Sequence, residues 1–460
     1  MLINVEQTRT GFSLRIDGDH WNADPCEFRF PEEVWSAFSC KDELINELAY
    51  VTTMATPLML RHDRVIYNRP EPRFLNLYNE SFLKTIPNLV EDIPCESTTE
   101  IEQFFRSIRR EFKDGARREN SYCPVKKTGR EVVIPFSFGK DSLLSLGTLM
   151  TLGYEPVPVV IDERVLPRAF SEKQKLIKQL RKATGINCHI VTNEIQLLSD
   201  FEILETPATR VYQVQVYFIY LLAMLPFCEY YGADTIILNN EYVNTLAMMH
   251  REGALHPYRY MQSREATESL RKMAEEYTDG AVTVANLIGG LGNFSINQML
   301  HETFPGPGKL RLSCHIEIVK YRRWCHECHR CAQSFLFLKA LGHNTGDRFF
   351  KKNMLEVHNR NYFNAFDTFH HHDKYRAFNG LEERLALAML QRKADSSPLV
   401  RIAAEMFPPI SDSGIMTVMK QVFSVQDHRE SGTIEEAADN YYKNLMDHFI
   451  SEAPKRFRIL

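Results

Sequence analysis

No stretch of the 460 residues is apolar for long enough to cross a bilayer. The longest run, Val216 to Phe227, falls short of the roughly 20 residues a spanning helix needs, and it carries Tyr217, Tyr220 and Pro226. The opening residues, Met1-Leu2-Ile3-Asn4-Val5-Glu6, have neither the basic start nor the apolar core of a secretory signal. Together these absences set the expectation of a cytoplasmic protein with no membrane role. Excess charge is lacking as well. A formal net charge of −4 gives no global pull toward nucleic acid, although a local basic groove stays open. Cysteine is sparse, ten in the whole chain, which is too few for a disulfide scaffold at this length. Both common nucleotide signatures are missing: no Walker spacing precedes a Gly-Lys, and no G-x-G-x-x-G occurs. A phosphate site, if the chain has one, is built another way.

One stretch suggests how. Val132-Val133-Ile134-Pro135-Phe136 is an apolar run that breaks at Ser137-Phe138-Gly139-Lys140-Asp141-Ser142 and resumes with helical spacing to Met150. A buried strand passing straight into a helix leaves unpaired N–H groups at the helix N-terminus, a ready anion site. Gly139 allows close backbone approach, Ser137 and Ser142 offer hydroxyls, and Lys140 adds positive charge. The bland alternative is a serine-rich turn in an ordinary α/β unit.

The neighbouring pattern supports the phosphate reading. Strands are expected at Val157 to Ile161, Cys188 to Thr192 and Thr235 to Leu238, with helices at Ser171 to Thr184 and Arg210 to Tyr231. Strands alternating with helices give an α/β fold with a doubly wound parallel sheet, whose ligands sit beyond the carboxyl ends of the strands. Asp162 after the second strand, and Asn239, Asn240 and Glu241 after the fourth, then converge on the loop.

Length allows roughly three domains. Residues 1–125 read as an N-terminal α+β domain with short alternating segments at Phe12 to Ile16 and Glu27 to Phe30. Helices are expected there at Lys41 to Met54 and Thr99 to Phe112, the second capped by Thr98 or Thr99. A charged stretch, Asp114 to Arg130, marks the boundary to a phosphate-loop domain at 126–345, and 346–460 is a helical C-terminal region. His256 to Ser263 is either a solvated loop or a substrate-binding segment, and Gly289-Gly290-Leu291-Gly292 is a turn.

Cysteine is also unevenly placed. Cys314, Cys325, Cys328 and Cys331 stand at C-x10-C-x2-C-x2-C within the segment 314–331. Thiolates two residues apart share one tetrahedral ion, and a distant fourth closes the shell, so the pattern favours a structural zinc site. An iron–sulfur cluster takes four cysteines as well and stays open. Cys26, Cys40, Cys95, Cys123, Cys188 and Cys228 read as small buried thiols, and His326, His329 and His370-His371-His372-Asp373 as solvated loop residues rather than ligands.

The loop Ser137 to Ser142 resembles the S-G-G-x-D-S signature of the PP-loop ATP pyrophosphatases, with Phe138 in place of the first Gly. With the cysteine cluster some 170 residues later, Val132 to Leu341 is similar to the 7-cyano-7-deazaguanine synthases. That resemblance implies that Ser137, Gly139, Lys140, Asp141 and Ser142 hold ATP with Mg2+; Phe138, by its place in the loop, and Asp162, by its place at the next strand end, are counted as ATP-binding with them. It implies zinc (Zn2+) on Cys314, Cys325, Cys328 and Cys331. Thr206 to Arg210 looks like a loosened Pro-x-Arg-Asn segment, which gives Arg210 a role near the substrate. Those synthases are roughly half this length, lack the flanking domains and space their first two cysteines more closely. A second similarity is to the epimerase of the terminal glutamate of UDP-N-acetylmuramoyl-L-alanyl-L-glutamate, of similar length. Its Trp-Cys-x-x-Cys-x-x-Cys, Asn-Glu and Tyr-x-x-Ser look like Trp324 to Cys331, Asn240-Glu241 and Tyr260 to Ser263. Long synthase-like proteins of phage-defence operons are a third group, thought to join the deazaguanine acid to a protein amine.

All three share one step, transfer of AMP to the carboxylate of a small-molecule acid with release of pyrophosphate. The fate of the acyl-adenylate stays open: attack by ammonia to give an amide and then a nitrile, conjugation to a protein amine, or proton removal for epimerisation with Glu241 as base. Two other classes are kept. One is a nucleotide-binding sensor without turnover, for which Phe138 is the best support; the other is a tRNA-modifying PP-loop enzyme, which the net charge disfavours. A homodimer is compatible with all of these.

Overall fold

The computed structural model describes residues 1–17, 24–92, 96–113, 122, 129–164, 167–199, 215–312, 323–346, 350–367, 373–426, 432–457 and 459. Among them, no helix is long and apolar enough to cross a membrane.

A mostly parallel sheet of ten strands runs through the molecule. Its strands are β1 (Leu2–Thr8), β2 (Gly11–Asp17), β3 (Cys26–Arg29), β4 (Arg64–Tyr67), β5 (Arg109–Phe112), β6 (Glu131–Pro135), β7 (Glu155–Glu163), β8 (His189–Asn193), β9 (Thr235–Leu238) and β12 (Thr283–Asn286). A separate antiparallel ribbon holds β10 (Ala247–Met249) and β11 (Leu255–Pro257). The spatial order is β12-β9-β6-β7-β8-β3-β2-β1-β4-β5. From β12 to β8 every neighbouring pair is parallel. The chain enters this half at its middle strand, β6, winds outward through β7 and β8, then crosses back to β9 and β12. Winding therefore reverses between β6 and β9, and a crevice opens there at the carboxyl ends of the strands.

Both faces of this half are covered, which explains its nearly continuous apolar strands. Successive side chains point to opposite faces. Val133, Val159, Ile161 and Ile236 join a core that also holds Phe218, Leu222 and Leu270. Val132, Ile134, Val160 and Ile237 join a second core with Leu143, Leu146, Phe294, Leu336 and Met389. The first face is packed by helices Val216–Tyr231 and Arg264–Tyr277, the second by Lys140–Thr151, Asn293–Glu302, His329–Leu341 and Lys374–Arg392.

Pro156 and Pro158 stand inside β7, where missing N–H donors ought to break a ladder. Pairing with β8 begins only at Val159 with His189. The Glu155 N–H donates to Arg130 O and the Val159 carbonyl accepts from Phe136 N–H, so odd-numbered residues face β6. Both proline nitrogens thus point to the side that β8 has not yet reached.

On the far side, β3 pairs antiparallel with β8, at Phe28 with Asn193 and Arg29 with Thr192, and joins the β1–β2–β3 strands to the parallel half. The expected helix to Phe112 is corrected here. It runs Thr98–Ser107, and Arg109–Phe112 is strand β5 beside β4. Stacking of Phe112 on Tyr67, with centroids 5.2 Å apart, outweighs local helical preference. Its cap is also not Thr98 or Thr99: Ser97 accepts from Glu100 N–H while the Glu100 carboxylate accepts from Ser97 N–H, a capping box. Other expected elements fall within a few residues of their places, including Lys41–Thr53 and β9. The C-terminal region is helical, with Lys374–Arg392, Pro398–Met406, Asp412–Val422 and Thr433–Phe457.

Helix Lys41–Thr53 buries Glu47 completely. Its carboxyl accepts from Tyr78 Oη at 2.7 Å and from Arg73 N–H at 2.5 Å. Burial pushes it up from 4.5 to about 7, against those hydrogen bonds. A carboxyl whose folded pKa is raised holds a proton that the unfolded chain has released, so its contribution is fully present below about pH 4.5 and is lost as pH rises through about 7. Wild-type stability is expected to fall between pH 5 and 8 by up to about 3 kcal/mol from this group. Denaturant titrations of Glu47→Gln across that range should show a flatter profile, and an unchanged slope would refute the assignment.

Candidate functional site at the β6–β9 crevice

β6 delivers the chain to the crevice through buried Val132, Val133 and Ile134. Phe138 then takes φ 61°, in the left-handed region that favours glycine. The reason it stays is its ring, fully buried and edge-on to Phe136 at 4.7 Å, while its carbonyl accepts from Leu312 N–H at 2.7 Å. Gly139 is the N-cap of helix Lys140–Thr151, and no side chain among the described residues caps that end. The Gly139 N–H donates to Ser137 Oγ at 3.3 Å, and Ser142 Oγ donates to the Gly139 carbonyl at 3.3 Å. The N–H groups of Lys140, Asp141 and Ser142 open the helix with no intrahelical acceptor, as an anion site requires. Phe138→Gly should relieve backbone strain of about 1 kcal/mol but remove packing of about 4 kcal/mol, a net loss of about 3 kcal/mol. A melting temperature at or above wild type in this variant would show that the ring does not hold the loop.

Lys140 Nζ lies 2.6 Å from Asp141 Oδ1 and 2.6 Å from Glu241 Oε2. Glu241 follows β9 and Lys140 follows β6, so the pair bridges the two sides of the crevice. Burial pulls the Lys140 ammonium down, but the two carboxylates more than offset it and the net direction is up. Burial raises Glu241; Lys140 opposes this and Asp141 adds to it, and Glu241 also ends up raised. Asn244 Nδ2 donates to Glu241 Oε1 at 3.3 Å and to Gln262 Oε1, which fixes the carboxylate from behind.

Asp162, expected just past the strand, is the second-last residue of β7 and almost fully buried, with Oδ2 3.0 Å from Arg164 Nε. Its Oδ1 is buried without a hydrogen-bond partner among the described residues. Burial raises its carboxyl, with Arg164 acting against that. Asn239 Nδ2 reaches Pro135 O at 3.4 Å, and its Oδ1 is likewise unpartnered among the described residues. Asn240 has a structural job instead. Its N–H donates to Asn286 Oδ1, its carbonyl accepts from Asn286 Nδ2, and its amide reaches Thr267, locking the ends of β9 and β12 together. Arg210 and Cys314 lie outside the described residues, as do Cys95, Cys123 and His370 to His372.

Cys325, Cys328 and Cys331 bring their sulfurs within 4.8 Å of one another, and Cys325 and Cys331 are 3.7 Å apart. This group can hold a metal ion: soft donors converge, two of them buried, with Cys328 at the N-cap of helix His329–Leu341, where the helix dipole favours thiolate. His326 turns away from such a role, since its Nε2 accepts from Lys351 N–H at 3.0 Å. Of the other cysteines described, Cys26, Cys40 and Cys228 are buried thiols and Cys188 is half-buried.

Arg311 carries no signal in the sequence, yet it ties the two sites together. Wholly buried, it donates to Asn297 Oδ1 at 2.5 Å and Ser334 Oγ at 2.6 Å, and its guanidinium lies 5.3 Å from the Trp324 ring. Burial lowers it to about 10, opposed by Asp141, Cys331 and Glu241. Trp324 precedes Cys325, and the Leu312 N–H reaches the Phe138 carbonyl, so one buried cation links the thiols to the loop. Gln262 accepts from Asn244 behind the Glu241 carboxylate, and the Tyr217 phenol is pushed up by burial and then by the Asp141 charge.

Fold and site define an α/β chain with a cation and two carboxylates at the reversal point of its parallel sheet and a three-thiol group that can hold a metal. No family model, curated protein or solved structure matches the chain.

Proposed function

We propose that the chain adenylates a carboxylic acid with ATP, releasing pyrophosphate and then AMP, as a PP-loop enzyme. The observation that carries this is the placement of Lys140, at an uncapped helix N-terminus in the β6–β9 crevice and within 2.6 Å of a carboxylate on each side. A carboxylate oxygen of the acid attacks the α-phosphorus of ATP; the bond to the bridging oxygen breaks, and pyrophosphate departs with the electron pair. The N–H groups of the helix start and the Lys140 ammonium stabilise the charge that develops on pyrophosphate. Lys140 exchanges a carboxylate contact for a phosphate oxygen as ATP enters, and Ser137 and Ser142 supply hydroxyls beside it. Magnesium, when bound, neutralises phosphate charge, and Asp141 and Asp162 are the oxygen donors on offer to it. Zinc would sit on Cys325, Cys328 and Cys331 with Cys314 as the fourth ligand, and its role is structural because four thiolates leave no open position. Arg210 is assigned to orient the acid.

The first reading of the acyl-adenylate's fate is a deazaguanine one, with the acid taken to an amide, a nitrile or a protein conjugate. Epimerisation is a second reading, supported by Glu241: half-buried, raised, and held by Lys140 and Asn244, it has the character of a base able to move a proton beside an activated carbonyl. The test is AMP and pyrophosphate release by the protein with ATP and magnesium, challenged in parallel with 7-carboxy-7-deazaguanine and UDP-N-acetylmuramoyl-L-alanyl-L-glutamate. Release with the first alone supports the deazaguanine branch, and with the second alone the epimerase branch. Absence of ATP–pyrophosphate exchange with any acid would return the chain to nucleotide sensing.

A further inference from the structure

Beside the crevice lies a cleft of about 700 Å³, walled by the loop after β11, the start of helix His329–Leu341, residues 360–367 and the start of helix Lys374–Arg392. Its size suits an extended ligand far larger than a free amino acid. The wall is braced. Asn88 donates to the Pro257 and Tyr258 carbonyls at 3.0 Å each and accepts from Tyr260 N–H at 2.9 Å, fixing the loop that carries Arg259. Tyr258 stacks on Tyr375 with centroids 3.9 Å apart, and Asp373 accepts from Met249 N–H at 3.2 Å and Arg376 N–H at 2.8 Å.

Two of its three arginines face the cleft without a carboxylate. Arg259 lies over Tyr258 at 5.2 Å, and Arg360 lies over Phe366 at 5.4 Å with Nη2 on the Met406 sulfur at 3.2 Å. Neither makes an ion pair with any described residue, whereas Arg376 faces Asp373 at 3.5 Å and Asp367 at 4.0 Å. Guanidiniums steered onto rings and sulfur present their donor forks for an oxyanion that no described residue supplies. The cleft adjoins the crevice, since Tyr242, next to Glu241, packs edge-on to Phe378 at 5.3 Å, about one turn from Tyr375 on the same helix.

We propose that the acid activated at the loop extends into this cleft and carries a second anionic group, a phosphate or carboxylate remote from the reacting one, held by Arg259 and Arg360. The assignment rests on the adenylation reading for the reacting end of the ligand only, and a remote anion fits the second of the two acids named above, since 7-carboxy-7-deazaguanine carries a single carboxylate.

Two measurements separate the ideas. In the first, 4-nitrophenyl phosphate is titrated calorimetrically into the protein saturated with magnesium and a non-hydrolysable ATP analogue, so that the loop is filled; 4-nitrobenzyl alcohol is the uncharged control. Binding of the phosphate alone, weakened about tenfold in Arg259→Gln and in Arg360→Gln, is the expected result. Equal binding by the variants, or none by wild type, overturns the proposal. In the second, ATP–pyrophosphate exchange is run with paired acids that differ only in a remote anionic group. Exchange confined to the doubly anionic member, with KM for the acid raised in the arginine variants and KM for ATP unchanged, supports both ideas. Exchange with the singly charged acids at equal KM overturns the second anion, whereas phosphate binding without exchange by any acid leaves the cleft and removes adenylation.

Discussion

Lys140→Ala is expected to lower exchange of labelled pyrophosphate into ATP by about a hundredfold or more, the scale seen when one preorganised donor to a developing oxyanion is lost. Two effects act together. The departing pyrophosphate loses its only cation on the loop, and Asp141 and Glu241 lose the charge that lies between them. Without the ammonium, burial and Asp141 both act to push Glu241 further up. Lys140→Arg preserves charge, but a planar fork replaces a compact ammonium between two carboxylates, and partial activity is expected. Full exchange in Lys140→Ala would place pyrophosphate elsewhere and end the loop assignment.

Cys331→Ser is expected to have the largest effect on stability. Cys331 is completely buried, and its sulfur lies 3.7 Å from that of Cys325. Structural zinc contributes on the order of 10 kcal/mol in small domains, and even half of that would lower the melting temperature by about 10 °C in a large one. Metal content by mass spectrometry should drop from one ion per chain to near none. Through Trp324, Arg311 and the Leu312 N–H to the Phe138 carbonyl, the loss reaches the loop, so nucleotide affinity should fall as well. Cys228→Ala is the control, a buried thiol remote in sequence from the cluster, which should keep both metal and nucleotide. Unchanged metal content in Cys331→Ser would mean that the thiols hold none.

How much of this can be read from residue order depends on how local its causes are. β9 is legible because Thr235 to Leu238 is an apolar tetrad between a helix and a polar Asn-Asn-Glu, and the loop because Gly and Ser interrupt an apolar run at one point. The three thiols are legible because their spacing is chemical rather than conformational. β5 is not, since Arg109 to Phe112 becomes a strand only by pairing with Arg64 to Tyr67. β12 is four residues with no period of its own, stabilised by the asparagine clasp between Asn240 and Asn286. The left-handed turn at Phe138 shows in the sequence only as an unusual residue where the loop signature has glycine; its burial against Phe136 depends on the fold. Arg311 and the arginines of the cleft escape notice for the same reason, because their partners come from segments far apart in the chain.

Thr148 is buried on the loop helix, and its hydroxyl accepts from Tyr442 Oη at 2.9 Å, a partner 294 residues further on. On a ribosome adding about 5–20 residues per second, Tyr442 emerges roughly 15–60 s after Thr148. Through that interval the nascent loop helix lacks the wall that helix Thr433–Phe457 supplies. Final packing of the helix that opens at Lys140 therefore follows, rather than accompanies, synthesis of the strands around it.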